Sequence, residues 1–118
     1  MRAVIISDIH SNLQALEAVA KDIRKQAPDY IYCLGDIVGY GPQPCECIEW
    51  VRTSGKVNIC ILGNHDAKAF RYDNGEIAEG EFDERLNEFN LMAELALWHN
   101  AQLLSAADKE FLKNSRAK

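Results

Sequence analysis

Three short hydrophobic runs alternate with stretches of helical periodicity in the first half of the chain. The runs extend from Ala3 to Ser7, from Tyr30 to Leu34 and from Val57 to Leu62. Their lengths and their β-branched and aromatic residues predict strands. The first run is continuously apolar, which is typical of a parallel strand covered on both faces.

A helix is predicted between the first two strands. Ser11 with Gln14 three residues later resembles a capping box at its start, and Pro28 marks its end. Apolar residues recur at intervals of three and four and predict one buried stripe. The stripe comprises Leu13, Leu16, Ala20 and Ile23.

A second helix is predicted between the second and third strands. Pro42 and Pro44 suit its first turn, where a missing N–H costs little, and Gly55 suits its C-terminal cap. Its buried side is predicted to hold Cys47, Ile48 and Val51. Strands that alternate with helices in this way predict βαβ units with right-handed crossovers.

Two further helices are predicted after a polar stretch over residues 70–81 that contains the turn signal Asn74-Gly75. The first should run from about Asp83 to Asn100, with apolar residues on more than one face. The second should begin after Ser105 as N-cap and bury Phe111 and Leu112. The predicted fold class is therefore α/β, a βαβαβ unit followed by two helices.

Polar side chains follow each of the three predicted strands. Asp8-Ile9-His10 follows the first, Gly35-Asp36 the second and Gly63-Asn64-His65-Asp66 the third. The interval from Asp8 to Asp36 is 28 residues, and the interval from Asp36 to Asn64 is again 28. One strand plus one helix fills each interval, so all three groups should reach the carboxyl edge of the sheet, where ligands bind.

These residue types suggest metal chemistry. Carboxylate, imidazole and amide groups form a mixed oxygen and nitrogen ligand set that suits a divalent manganese, iron or zinc ion. In an extended segment Asp8 and His10 would face the site while Ile9 points away. Turn formation alone explains Asp36 or Asn64 singly, but it does not explain two histidines at the same edge.

Composition narrows the function classes. The 118 residues suffice for one domain, and the net charge of −5 argues against a general nucleic-acid-binding face. No apolar run approaches membrane-spanning length, and no signal peptide is recognisable, so a cytoplasmic location is expected. The four cysteines fit no zinc-finger spacing; Cys45-x-Cys47 is a weak metal or redox hint, and reduced thiols are expected.

The motifs "SDIH", "LGDIVGYGP" and "LGNHD" resemble the first three motifs of the calcineurin-like metallophosphoesterase superfamily, in its small prokaryotic phosphodiesterase branch. The resemblance covers about residues 1–115. It implies an α/β sandwich of two sheets flanked by helices, and hydrolysis of a phosphate mono- or diester by a metal-activated hydroxide. A nucleotide-binding doubly wound domain fits less well, because the first turn lacks Gly-x-Gly-x-x-Gly.

The resemblance also implies a dinuclear metal centre. Asp8 and His10 would bind the first metal, Asp36 would bridge both and Asn64 would bind the second. Manganese is the expected ion, with iron, zinc or nickel as alternatives.

The same resemblance implies roles beside the metals. His65 would face the substrate phosphate, and Asp66 would hold the His65 ring in its working tautomer. Tyr40, in the glycine-rich loop, is a candidate substrate contact. The expected substrate is a phosphorylated small molecule or nucleotide.

The resemblance predicts more ligands than the chain offers. The family has a later metal-binding histidine and a Gly-His-x-His motif, whereas this chain has three histidines, of which His99 lies in a predicted helix. We therefore expect residues 1–118 to form one truncated domain with an incomplete second metal site and weak or no activity alone. Homodimerisation, domain swapping or pairing with a missing C-terminal half is expected. The alternative is a non-catalytic interaction module that retains the fold.

Overall fold

A computed structural model describes residues 1–73 and 88–117. Its four strands form one parallel sheet in sequence order: β1 (Ala3–Ile6), β2 (Tyr30–Cys33), β3 (Ile59–Leu62) and the short β4 (Arg116–Ala117). The first three strands match the predicted runs. All carboxyl ends lie at one edge, so the segments that follow β1, β2 and β3 meet there.

Helix α1 (Leu13–Gln26) connects β1 to β2. Its predicted buried stripe is confirmed for Leu16, Ala20 and Ile23. The predicted cap is wrong by one residue: Asn12 is the N-cap, and its side chain accepts a hydrogen bond from the N–H of Ala15 at 3.0 Å. Ser11 is buried instead, and its hydroxyl donates a hydrogen bond to the side chain of Asn100.

Helix α2 (Pro44–Glu49) connects β2 to β3 and continues into a π-helical turn over Trp50–Ser54. Pro44 occupies the first turn and Gly55 the C-terminal cap, as predicted. The expected buried side is also confirmed. It consists of Cys47, Ile48 and Val51.

Helix α3 (Asn64–Asp73) begins directly after β3, where the sequence pattern predicted no helix. Gly63 is the residue before the helix, and its carbonyl accepts the N–H of Ala67 at 3.0 Å. The carboxylate of Asp66 accepts the N–H of Gly63 at 3.1 Å, as the third helical residue does in a capping box. Asn64, His65 and Asp66 therefore form the first turn of a helix.

Helices α4 (Glu88–Leu103) and α5 (Ala106–Asn114) complete the described elements. The structure ends α4 three residues later than predicted; residues 83–87 and the predicted Asn74-Gly75 turn lie outside the described residues. Ser105 is the N-cap of α5 and forms a reciprocal capping box with Asp108. Leu112 is fully buried, as expected, and Phe111 is partly buried.

The hydrophobic core contains residues of the sheet and of helices α1 to α5, and its buried side chains include Cys33, Ile37, Ile48, Leu97 and Leu112. The expectation that β1 is covered on both faces is wrong. Ile5 is 65% exposed, and Tyr30 and Ile59, on the same face, are 41% and 42% exposed. The α/β class and the βαβαβ order are confirmed.

Two expectations from composition can be compared with the structure. The cysteines are reduced thiols, and none of the four forms a disulfide within the part of the chain that the structure describes. Among residues 1–73 and 88–117, no helix combines the length and apolar character needed to cross a membrane.

Candidate metal centre

Backbone hydrogen bonds join the loop after β1 to the loop after β2. The N–H groups of Asp8, His10 and Ser11 donate to the carbonyls of Gly35, Asp36 and Ile37 at 3.1, 3.0 and 2.7 Å. This ladder continues the β1–β2 pairing beyond the strands. It keeps Asp8, His10 and Asp36 at one edge of the sheet.

The loop residues adopt an unusual backbone conformation. Asp8, His10 and Asp36 have φ angles of 57°, 49° and 55°. These angles lie in the left-handed region, which non-glycine residues seldom occupy and which is concentrated at functional sites. The expectation of an extended Asp8-Ile9-His10 segment is therefore wrong, although both side chains still reach the same site.

Asp8, His10 and Asp36 form a compact group of metal-ligand type. One ligand atom from each lies within 4.8 Å of the others. The Nδ1–H of His10 donates to the carbonyl of Val38 at 2.9 Å, because a carbonyl can only accept. The lone pair of His10 is thereby placed on Nε2, which lies 3.3 Å from Oδ1 of Asp8. Fixing the tautomer through the second nitrogen is common for metal-binding histidines.

Asn64 lies against Asp36. With its NH₂ group turned towards Asp36, the amide donates to both carboxylate oxygens at 3.1 Å. An amide can turn over, so the same position can present an oxygen ligand to a cation. Gly63 permits this approach, because a Cβ there would lie 2.3 Å from Oδ1 of Asp36. The N–H of His65 donates to the same Oδ1 at 3.0 Å.

The ring of His65 is held between two other rings. It stacks on Tyr40 with centroids 5.2 Å apart, and it meets His10 edge-on at 4.9 Å. Burial, assisted by the neighbouring His10, lowers the pKa of His65. Nδ1 of His65 is buried and has no hydrogen-bond partner among the described residues.

Asp66 was predicted to orient the His65 ring, and its carboxylate instead contacts backbone N–H groups. Its fully buried carboxylate accepts the N–H groups of Ile37, Val38 and Gly63 at 2.8, 3.1 and 3.1 Å. The predicted contact with the His65 ring is replaced by these bonds. Burial raises the pKa of Asp66, although the three backbone donors act in the opposite direction. Asp66 thus joins the loop after β2 to the start of α3.

The carboxylate of Glu94 on α4 connects that helix to α3. Lys68 and Tyr72 of α3 both donate hydrogen bonds to the carboxylate of Glu94, Tyr72 at 2.7 Å. Burial alone would raise the pKa of Glu94, but the bonds from Lys68 and Tyr72 outweigh it and the pKa is lowered. Burial, assisted by the hydrogen bond to Glu94 and the charge of Glu94, raises the pKa of Tyr72. These bonds hold the helix that carries His65 against α4.

The sequence-based predictions missed Asn100, which is 1% exposed on α4 and bonds to both of the loops that carry Asp8 and Asp36. A signal existed. Leu97, Asn100, Ala101 and Leu104 are spaced as one buried helical stripe. An amide on such a stripe needs polar partners. His99, by contrast, is exposed on the same helix.

The donor set fits a divalent cation. Asp8 and Asp36 supply carboxylate oxygens, His10 an imidazole nitrogen and Asn64 an amide oxygen, which suit a transition metal of intermediate softness. The two carboxylates also leave the site negatively charged until a cation binds. Fold and site together define an α/β protein with a candidate metal-binding group at the carboxyl edge of a parallel sheet.

The chain belongs to the calcineurin-like phosphoesterase family, whose model matches residues 1–115. Over 62 residues, 52% of this chain and 25% of the relative, it is 53% identical to an uncharacterized protein of Methanocaldococcus jannaschii. Over 114 residues it is 29% identical to a symmetrical bis(5'-nucleosyl)-tetraphosphatase of Psychromonas ingrahamii, covering 94% of this chain and 41% of that enzyme.

A solved structure is also similar. The metallophosphoesterase from Sphaerobacter thermophilus matches with a TM-score of 0.70 and 41% identity, over 98% of this chain and 41% of that one. This likeness supports the fold and the family together. The chain spans about a quarter to two fifths of the length of these relatives.

Proposed function

We propose that this chain acts in the hydrolysis of a phosphate ester at the carboxyl edge of its sheet. The observation that carries the proposal is the convergence of Asp8, His10 and Asp36, whose ligand atoms lie within 4.8 Å of one another. Asn64 extends this group along Asp36. Asp8, His10 and Asp36 would hold one divalent cation, and Asp36 with Asn64 would contribute to a second.

Charge explains why a cation is needed. A phosphate ester is anionic, and Asp8 and Asp36 would repel it from the metal-free site. A bound divalent cation would neutralise that charge, polarise a phosphoryl oxygen and lower the pKa of a water molecule. Manganese is the ion we propose, because carboxylate and amide oxygens, which suit it, outnumber the one imidazole nitrogen in this ligand set.

We propose that His65 contacts the substrate. It follows Asn64 directly, and its ring borders His10. A lowered pKa keeps the imidazole neutral near pH 7, so it can donate one N–H to a phosphoryl or leaving-group oxygen. We assign it that role.

A nucleotide is the substrate class we propose. Two observations support it: the name of the Psychromonas relative, and the position of Tyr40, whose ring is stacked on His65 while the residue is 50% exposed. An exposed ring beside the phosphate site could stack on a base or another aromatic group.

Hydrolysis of bis(4-nitrophenyl) phosphate, 4-nitrophenyl phosphate and diadenosine tetraphosphate, with and without Mn²⁺, tests the proposal. We expect Mn²⁺-dependent release of product that is lost in Asp36→Asn and reduced at least tenfold in His65→Ala. His99→Ala is the matched control, because His99 is exposed on α4, and it should retain activity. Activity that survives both site substitutions would show that another site is responsible.

A second candidate is a non-catalytic module that retains the fold. Within the described residues, the second cation would rely on Asp36, which the first cation shares, and on Asn64. Two such ligands make a weak site. Binding of two Mn²⁺ per chain would argue against this candidate, whereas one bound Mn²⁺ without hydrolysis of any of the three esters would favour it.

Self-association is a further proposal. Ile5 and Met92 are among the large apolar side chains that are mostly exposed, at 65% and 66%. Exposed apolar surface of this kind favours association. Light scattering over a range of concentrations should show a dimer, and a monomer at all concentrations would contradict this.

A further inference from the structure

Asn100 bonds to three residues that are far away in sequence. Its Oδ1 accepts the hydroxyl hydrogen of Ser11 at 2.7 Å and the N–H of Gly39 at 2.7 Å. Its Nδ2 donates to the carbonyl of Gly41 at 2.9 Å. Two donors at the oxygen and one acceptor at the nitrogen define the orientation of the amide.

Each partner lies beside a residue of the metal centre. Ser11 follows His10, and both have left-handed backbone angles, 58° for Ser11 and 49° for His10. The N–H of Gly41 donates back to the carbonyl of His10 at 3.1 Å. The Asn100 amide therefore holds together the loop that carries His10 and the loop that follows Asp36.

Gly39 extends this connection to His65. A Cβ at Gly39 would lie 2.5 Å from Nδ1 of His65, so the backbone there sits directly against the ring. Gly39 follows Val38, whose carbonyl fixes the tautomer of His10. One hydrogen bond from Asn100 thus restrains a segment that contacts both imidazoles.

Gly39 and Gly41 also flank Tyr40. Its φ angle of 59° is left-handed, and its ring lies within 4.9 Å of His10 and 5.2 Å of His65. Asn100 holds the backbone on both sides of this residue. Without those two bonds the loop could relax to ordinary φ angles and carry Tyr40 away from the histidines.

We propose that Asn100 is a positioning residue of the metal centre: by tying α4 to Ser11, Gly39 and Gly41, it sets the geometry of His10 and His65. This inference rests on the proposed function only in assigning a metal to the site. The hydrogen bonds and their effect on loop order can be tested without a metal.

The first readout is amide hydrogen exchange of Gly39 in the metal-free protein. Asn100→Ala removes the acceptor, and we expect Gly39 to exchange at least tenfold faster. Asn58→Ala is the matched control, because Asn58 also accepts one backbone N–H, that of Ile31 at 2.8 Å, but lies immediately before β3. It should leave Gly39 exchange unchanged.

The second readout is the affinity for Mn²⁺ in the absence of substrate. Electron paramagnetic resonance of the free ion measures it. Loss of an outer-shell partner commonly weakens metal binding 10- to 100-fold, and we expect a weakening in this range for Asn100→Ala. Asn58→Ala should bind Mn²⁺ like the wild type, even where it melts at a lower temperature. Imidazole ¹⁵N shifts of His10 and His65 should change in Asn100→Ala, while those of His99 stay constant.

Ser11→Ala provides the test if Asn100→Ala does not fold. It removes one of the two donors to Oδ1, so both effects should appear at smaller size. Unchanged Gly39 exchange and unchanged imidazole shifts in a folded variant would overturn the proposal. If the wild type binds no Mn²⁺, the metal assignment fails, and Gly39 exchange still decides the positioning role.

Discussion

Asp66 offers a sharp test of how the site is built. Its carboxylate is fully buried and accepts three backbone N–H groups, two from the loop after β2 and one from Gly63. Asp66→Ala removes all three acceptors. Asp66→Asn keeps the shape and one oxygen, which can still accept from Ile37 and Val38, while its NH₂ faces the N–H of Gly63.

The expected cost follows from these bonds. A buried N–H without an acceptor costs about 1–3 kcal/mol, so the gross loss for Asp66→Ala is about 3–9 kcal/mol. Burial raises the pKa of Asp66, which means that the charged form is itself costly in the folded chain, and its removal offsets part of the loss. We expect a net loss of about 2–5 kcal/mol for Asp66→Ala and of about 1 kcal/mol for Asp66→Asn.

Urea unfolding at pH 7 with EDTA, followed by tryptophan fluorescence, measures both values. Asp29→Ala is the control, since Asp29 is exposed and accepts the backbone N–H of Arg2 at 2.7 Å; it should cost below about 1 kcal/mol. If Asp66 acted mainly by orienting His65, both Asp66 variants would stay as stable as the wild type. The reasoning would be refuted if Asp66→Ala lost less than about 0.5 kcal/mol of unfolding free energy, or if Asp66→Asn lost more than Asp66→Ala.

The remaining predictions concern three other groups. The pKa of Glu94 is lowered in the folded chain by Lys68, so the charged carboxylate should stabilise the fold above about pH 4.3 and lose this effect as the pH falls below that value. The free energy of unfolding should therefore differ between wild type and Glu94→Gln at pH 6, and the difference should shrink at pH 4 and pH 3. A difference that stays constant over this range would contradict the prediction. Gly39 has φ +93° and no room for a Cβ beside His65, so Gly39→Ala should cost about 1–3 kcal/mol and reduce hydrolysis, and wild-type activity would contradict the close packing. Burial raises the pKa of Cys47 to about 12, so its reaction with a thiol reagent at pH 8 should be far slower than that of free cysteine, which peptide mapping would check.

The convergence of Asp8, Asp36 and Asn64 could be predicted because it depends on topology. Parallel strands that alternate with helices return to the same edge, so a polar residue after each strand reaches a common site. The stripe of α1 was predictable for a related reason, since periodicity reports which face is buried. Neither inference needs knowledge of distant partners.

Features that depend on distant partners could not be predicted. The left-handed angles of Asp8 and His10 are maintained by hydrogen bonds to the loop after β2. The first turn of α3 forms where the residue types favour a loop, because Asp66 reaches both Gly63 and that same loop. Asn100 is the clearest example. Its position on a buried stripe indicates that its amide needs hydrogen-bond partners, but the neighbouring sequence does not identify Ser11, 89 residues away, as one of them.

The central claim is that Asp8, His10 and Asp36 hold a divalent metal ion. The most direct test is titration of the metal-free chain with Mn²⁺, counting the free ion by electron paramagnetic resonance, for wild type, Asp36→Asn and the exposed-site control Asp29→Ala. We expect at least one bound Mn²⁺ in the wild type and in the control, and none in Asp36→Asn at the same concentrations. No bound Mn²⁺ in the folded wild type, or equal binding by Asp36→Asn, would contradict the claim.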